Sequence, residues 1–168
     1  MENEVDLIIH RKEVDLIIHR LEDSMSGEPW YGKSVLALLS EIDPQMVYNK
    51  PCTQAHSMIE LLYHMITWME FVQQRLEKEQ YLNPEALEAL DWRKTNPEIH
   101  TWHAGISQLT ALSNRIIETL KKSADGLLDE TVEYRPYDFR YLLTGIIQHN
   151  IYHIGQIAIL NKLLKSAD

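Results

Sequence analysis

The chain has 168 residues, 45% of them hydrophobic, and its 16 basic and 25 acidic residues give a formal net charge of -9. This length and apolar content fit one domain with a sizeable core, and the negative charge argues against binding nucleic acid or an anionic membrane surface. The single cysteine, Cys52, excludes an intrachain disulfide framework. Because the N-terminus also lacks the apolar core of a signal peptide, we expect a cytoplasmic protein.

The N-terminal segment repeats itself, since EVDLIIHR occurs at residues 4–11 and again at residues 13–20. A shift of nine residues turns an α-helix by about 900°, so the second copy is rotated by about half a turn relative to the first. The two copies therefore cannot face the same core in one helix. Two copies are also too few and too short for a repeat architecture.

We assign the second copy to the domain because it continues without a break into the rest of the first helix. Three of its residues are expected to point inward: Leu16, Ile17 and Leu21. The domain then spans residues 13–168, and residues 1–12 form a duplicated extension for which a helix is one option. We expect His10 and His19 to lie at the surface.

Four long amphipathic segments predict an all-α fold, a four-helix bundle. The first ends at about Ser24, and the second runs from the capping box at Ser57 to about Glu79. The third begins at the Asn96-Pro97 dipeptide, and the fourth runs from Asp138 to about Lys165. Shorter helical pieces are predicted at residues 34–42, at Asp43-Pro44 and within residues 80–95. The segment 141–161 has no charged residue over a length that could cross a membrane. Five polar side chains within it favour a buried helix instead: Gln148, His149, Asn150, His153 and Gln156.

His149 and His153 are spaced i, i+4 in the last helix and lie about 40° apart, within its apolar face. A buried imidazole must satisfy two polar nitrogens, and a metal ion can satisfy one nitrogen of each ring. One helix can bind a metal through this spacing. The alternative is a pair of core histidines hydrogen-bonded to side chains and water, and the position of the pair within the apolar face favours a metal.

A third ligand must come from another helix, and His64 is the candidate, because it borders the apolar face of the second long helix. Three imidazoles leave positions open on a divalent ion, which is typical of a catalytic site. Three other histidines compete with it but occupy helix ends, where we expect structural or solvent-facing roles: His56, His100 and His103. For Cys52 we expect a partly buried, unreactive thiol.

The segments around these histidines resemble a known family. SMIELLYHMITWMEF, which contains His64, and GIIQHNIYHIGQI, which contains His149 and His153, resemble the DinB-like (YfiT-like) metalloenzymes. EPWYGKSVLALL and AHSMIELLYH resemble a bacterial branch of that family, so the likeness runs from about residue 14 to the end. It implies a four-helix bundle with a metal bound by His64, His149 and His153. Characterised relatives include thiol-dependent transferases and isomerases that use bacillithiol, mycothiol or glutathione.

The leading hypothesis is therefore a metal-dependent enzyme with thiol S-transferase activity, which joins a low-molecular-weight thiol such as bacillithiol to a small-molecule electrophile. Zinc or nickel is the expected ion. Glu60 and Gln156 lie about one turn from a ligand and are candidates for supporting the ligands or moving protons, although Glu60 also belongs to the capping box. Three aromatic residues are expected to pack rather than to act in catalysis: Tyr63, Trp68 and Tyr152.

Three alternatives remain open at this point: a metal-dependent hydrolase, a non-catalytic protein that binds a metal or ligand, and a structural bundle without metal. A homodimer is also an option. The Trp30-Tyr31-Gly32 turn would either cover one end of the bundle or form an interface.

Overall fold

A computed structural model of the protein describes residues 4–78, 83–124 and 126–166. Six α-helices occur in this part of the chain: α1 (Glu4–Ser26), α2 (Val35–Ser40), α3 (Met58–Leu76), α4 (Pro84–Asp91), α5 (Trp102–Lys121) and α6 (Phe139–Lys165). A 3₁₀ turn at Leu127–Asp129 and an isolated β-bridge between Thr131 and Asp138 lie between α5 and α6. The structure confirms the predicted all-α class.

The four long helices form a bundle in which α3 packs against α5 and α6, and α1 packs against the same two helices. The helices α1 and α3 therefore lie diagonally across the bundle. The approach of α3 to α5 is close at Gly105, where an added Cβ atom would lie 2.7 Å from Cδ2 of Leu62. The short helix α4 packs against α3. This arrangement places the residues of α3 between three other helices.

The helix α3 begins at the predicted capping box. The Ser57 hydroxyl accepts a hydrogen bond from the backbone N–H of Glu60, and the Glu60 carboxylate accepts one from the backbone N–H of Ser57. These two bonds satisfy backbone donors that a helix start leaves without partners. The helix ends at Leu76, and the predicted end, Glu79, lies outside the described residues. Most side chains of α3 are buried, as its position between three helices requires.

The helix α6 begins after Asp138, whose side chain accepts a hydrogen bond from the backbone N–H of Tyr141, as predicted. Its polar residues His153 and Asn150 are buried, whereas Tyr141 and Tyr152 are exposed. The expectation of a buried helix was therefore wrong for one face of α6. Among the described helices, none has the length and hydropathy needed to span a membrane.

Two predicted helix starts were wrong because the dipeptides that suggested them form turns. The helix α5 begins after the N-cap Thr101 and not at Asn96-Pro97. There the carbonyl of Asn96 accepts hydrogen bonds from the N–H groups of Ile99 and His100, which closes a turn before the helix. Asp43-Pro44 likewise opens a hydrogen-bonded turn, in which the Asp43 carboxylate accepts from the Gln45 N–H, and no helix follows directly.

The residues of the second repeat copy that face the core differ from those that we expected. The buried apolar residues of α1 follow a spacing of three and four: Val14, Ile17, Ile18, Leu21 and Met25. Leu16 precedes Ile17 by about 100° of helix rotation and is 44% exposed, so its predicted inward position was wrong. His19 is exposed, as expected, and the side chain of His10 lies outside the described residues. Cys52 is exposed as well, which corrects the expected partly buried thiol.

Deleting residues 4–12 should change the melting temperature by less than about 3 °C and leave the metal content unchanged. The deletion removes Arg11, which makes a 3.2 Å ion pair with Asp15 on the surface, a type of contact worth about 0–1 kcal/mol. It retains Glu13, which pairs with Arg140 at 2.8 Å, and all the buried residues of the second copy. A loss of several degrees in thermal denaturation would show that the first copy belongs to the folded domain.

Candidate metal centre

Three imidazoles from two adjacent helices converge. His64 lies in the N-terminal half of α3, and His149 and His153 lie one turn apart on α6. The Nε2 atom of His64 is 2.9 Å from Nε2 of His149 and 3.0 Å from Nε2 of His153. Two nitrogens bound to one ion at about 2.1 Å are separated by roughly 3.0–3.4 Å, so these distances are close to those of a metal-binding set.

Hydrogen bonds at the opposite nitrogens set the tautomers of two of these rings. Nδ1 of His64 is 2.8 Å from Oδ1 of Asp91, and Nδ1 of His153 is 2.7 Å from Oε1 of Gln156. Both oxygens are acceptors, so each Nδ1 carries the proton and each Nε2 of the neutral rings carries a lone pair. Two lone pairs facing each other at 3.0 Å repel unless a cation lies between them. The donor set therefore fits a divalent metal ion.

The surroundings keep the three rings neutral, which is the form that binds metals. Burial and, after it, the neighbouring imidazoles of His153 and His64 together lower the pKa of His149 from 6.5 to about 3. Burial is also the main reason why the pKa values of His64 and His153 are lowered. Asp91 and Gln156 oppose this shift in their partner rings by accepting hydrogen bonds from them, without reversing it.

Asp91 is the residue of this site that the sequence did not reveal. It ends α4, and its Oδ1 atom also accepts a hydrogen bond of 2.7 Å from the Trp68 indole N–H. Arg93 holds this end of α4 against α3, because it donates to the Leu90 carbonyl and to the Thr67 hydroxyl. No spacing rule connects residue 91 with residue 64, and only the packing of α4 on α3 brings them together.

Trp92, the next residue, covers one face of the His64 ring. Its ring centroid lies 3.9 Å from that of His64, and the two planes differ by 7°. The opposite face of Trp92 stacks on His56 at 3.8 Å with an angle of 14°. His56 is exposed, as predicted. Its ring also supports the Trp92 side chain, which packs on the candidate ligand His64.

The remaining candidates occupy different positions. The carboxylate of Glu60 accepts hydrogen bonds from Ser57 and, at 2.9 Å, from the Lys50 ammonium group, so it is engaged at the start of α3. Its supporting role stays a prediction, as does that of Gln156 beyond the bond to His153. His100 accepts from the Asn96 N–H, and His103 is exposed. Neither belongs to the cluster.

The three aromatic residues that we expected to pack differ in their burial and in their contacts. Tyr63 is buried and its hydroxyl donates to the Thr101 carbonyl. Trp68 is partly buried and contacts both Asp91 and the ring of His149, with ring centroids 6.0 Å apart. Tyr152 is 64% exposed, although its ring meets the edge of His153 at 4.9 Å. Trp30, which precedes Tyr31, is fully exposed.

One cavity borders the cluster, and a second borders residues that support it. One has a volume of about 140 Å³ and includes His149 in its wall. The other has a volume of about 260 Å³ and is bordered by His56 and by Gln156, the partner of His153.

The family model of the DinB superfamily matches residues 32–157. The chain belongs to the DinB superfamily. The match covers most of the chain and includes all three histidines, which confirms the family suggested by the sequence motifs. It begins after the N-terminal repeat, so the repeat lies outside the part of this DinB-superfamily protein that matches. No curated protein sequence matches the chain.

Asp91→Ala is expected to weaken metal binding by this DinB-superfamily protein about 10- to 100-fold, because the His64 ring loses the acceptor that fixes its tautomer and orientation. Asp91→Asn retains an acceptor oxygen and should lose less. Competition with a chromophoric chelator measures both affinities. Glu98→Ala, which removes the same charge from an exposed turn, is the matched control. Equal affinities for Asp91→Ala and Glu98→Ala would contradict this role for Asp91.

Metal affinity should also persist to lower pH than free imidazoles would allow. Three unperturbed imidazoles with a pKa of roughly 6.5 would lose about 10-fold each in affinity between pH 7.5 and pH 5.5, as protons compete for the nitrogens. Because burial lowers the pKa of all three rings, protonation begins at lower pH and the loss over this interval should be much smaller. Zinc titrations at the two pH values test this, and a roughly thousand-fold loss would contradict it.

Proposed function

We propose that the protein is a metal-dependent enzyme that transfers a low-molecular-weight thiol to a small-molecule electrophile. The observation that carries this proposal is the convergence of three Nε2 atoms, with two of the rings held at Nδ1 by Asp91 and Gln156. Three neutral ligands leave the charge of a divalent ion uncompensated and leave coordination positions for a substrate. The metal would be zinc or nickel, since imidazoles suit both ions.

A divalent ion in this site would lower the pKa of a thiol or of water towards neutrality. Neighbouring residues hold the three histidines in place and shield them. Asp91 and Gln156 accept hydrogen bonds from the Nδ1–H groups of His64 and His153. The Nε2 lone pairs of both rings therefore point towards the centre of the cluster. Trp92 covers one face of His64, which limits the access of water to that ring. In the transfer, the thiolate sulfur forms a bond to the electrophilic carbon, the leaving group departs with its bonding electrons, and the thiol proton passes to solvent.

The supporting residues favour a thiol over water as the nucleophile. A free thiol has a pKa of about 8.5 and needs only a small shift to ionise at neutral pH, whereas water has a far higher pKa and usually also needs a general base. The carboxylate beside the cluster, Asp91, already accepts hydrogen bonds from His64 and Trp68. It is therefore poorly placed to take a proton from water.

Two cavities, one bordering a histidine of the cluster and one bordering the partner of another, fit a reaction with two substrates. One borders His149, and the other borders Gln156 and His56. A hydrolase needs a recess for only one organic substrate. We therefore assign one cavity to the electrophile and the other to the thiol.

The test is turnover by zinc- or nickel-loaded protein with bacillithiol, glutathione, cysteine or water as the nucleophile, each combined with several electrophiles. Metal-dependent consumption of one thiol, lost after chelation and restored by metal, is the expected result. Turnover with water alone would identify a metal-dependent hydrolase. Rates that chelation does not change for any nucleophile would contradict the proposal and favour a non-catalytic binding protein.

A further inference from the structure

The cavity that borders His149 has an almost entirely apolar wall. It is formed by residues of α3 and α6 and by one residue that precedes α6: Trp68, Val72, Tyr137, Tyr141, Leu142, Gly145, Ile146 and His149. No charged side chain belongs to this set. Val72, Leu142 and Ile146 are buried and form its inner part, whereas Tyr141 is 67% exposed and lies at the outside. A ligand in this cavity would be recognised through apolar contact and ring stacking.

The size of the cavity limits the group that fits. Its volume of about 140 Å³ is close to that of an engineered apolar cavity of roughly 150 Å³ that binds benzene. One six-membered ring would therefore fill it. The ring of Tyr137 lies 4.9 Å from that of Tyr141, and Trp68 supplies a third aromatic surface. These rings favour an aromatic occupant.

His149 belongs both to the wall of this cavity and to the cluster of three imidazoles. Only the side chain of His149 therefore separates a group in the cavity from the cluster at which the proposed reaction occurs. We propose that the cavity binds a single aromatic ring of the electrophile, so that the preferred substrates are benzyl-type compounds. This inference rests on the proposed thiol transfer, and it adds the substrate class and the residues that select it.

Gly145 offers a way to fill the cavity without disturbing the fold. It lies one turn from both Tyr141 and His149 on the face of α6 that borders the cavity, and an added Cβ atom would meet no other atom within 4 Å. Replacing a helical glycine with alanine or leucine also favours the helix. Gly145→Leu should therefore fold and occupy the space of the ring, and Gly145→Ala should occupy part of it.

Gly155 provides the matched control. It lies ten residues further along α6, is exposed, and also has no atom within 4 Å of an added Cβ. It does not line the cavity. Gly155→Leu thus makes the same chemical change in the same helix on a surface that the proposal does not involve.

The first experiment measures binding of fluorobenzene to metal-free protein through the indole N–H resonance of Trp68, which lines the cavity. We expect a saturable shift in the wild type and in Gly155→Leu, a weaker one in Gly145→Ala, and at least about 10-fold weaker binding in Gly145→Leu. Unchanged binding in Gly145→Leu, or the absence of a saturable shift in the wild type, would overturn the assignment of the cavity.

The second experiment compares kcat/KM for a benzyl halide and for the corresponding methyl halide in the metal-loaded thiol reaction. The ratio should fall about 10-fold or more in Gly145→Leu and remain unchanged in Gly155→Leu. Turnover without any such change in the ratio would refute the ring-binding role while leaving the transferase intact. Fluorobenzene binding that Gly145→Leu blocks, in a protein without turnover, would instead refute the transferase and leave an apolar ligand site.

Discussion

Replacing any one of His64, His149 and His153 with alanine should reduce bound zinc from about one ion per chain to a trace. Each change removes one of three converging nitrogens and leaves two, which are too few to hold a divalent ion tightly. The loss of affinity should exceed the roughly 10- to 100-fold expected when only a supporting residue is removed. Elemental analysis of protein purified without a nickel column measures the occupancy directly.

Two histidines outside the cluster provide the controls for this experiment. His103 is exposed at the start of α5, and His100 accepts a hydrogen bond in the turn before it. His100→Ala and His103→Ala should therefore keep full metal content. Full occupancy in His149→Ala, or an empty site in either control, would show that the ion is bound elsewhere.

His153→Ala should abolish metal-dependent thiol transfer, with the rate falling at least about 100-fold to that of metal-free protein. The ring of His153 supplies one Nε2 atom, and its loss leaves Gln156 without the hydrogen bond that its Oε1 atom accepts from Nδ1. The helical circular dichroism spectrum should remain, because the helix α6 continues well beyond this residue on both sides. In the wild type, the rate should rise with pH as the bound nucleophile ionises.

Matched variants separate loss of the metal from loss of support. His103→Ala should retain the wild-type rate, and Gln156→Ala should slow the reaction without emptying the site. Glu60→Gln keeps a side chain that can complete the capping box, so it tests proton handling without removing the cap. A rate in His153→Ala equal to that of the metal-loaded wild type would contradict a role for this ion in catalysis.

The candidate ligands could be selected from the sequence because two physical signals agree there. The spacing of His149 and His153 puts both rings on one side of α6, and burial of that side makes their polar nitrogens costly unless a partner binds them. His64 required the apolar pattern of α3 together with the family motif. The bundle followed from long amphipathic segments, whose periodicity is the most reliable signal in a helical protein.

The parts that were missed depend on contacts between segments distant in sequence. Asp91 and Trp92 reach His64 because two hydrogen bonds join the end of α4 to α3: Trp68 donates to Asp91, and Arg93 donates to Thr67. The start of α5 was misplaced because Asn96-Pro97 suits a turn as well as a helix start, and the bond from the His100 N–H to the Asn96 carbonyl closes the turn.

X-ray absorption at the zinc edge, recorded with and without a bound thiol, tests the central claim most directly. The account predicts about three imidazole nitrogens at roughly 2.0–2.1 Å in zinc-loaded protein, with a sulfur at about 2.3 Å appearing when bacillithiol or glutathione is added. The spectrum of His153→Ala under the same conditions should show no such site. A closed site of four protein ligands that gains no sulfur from any thiol would contradict the account.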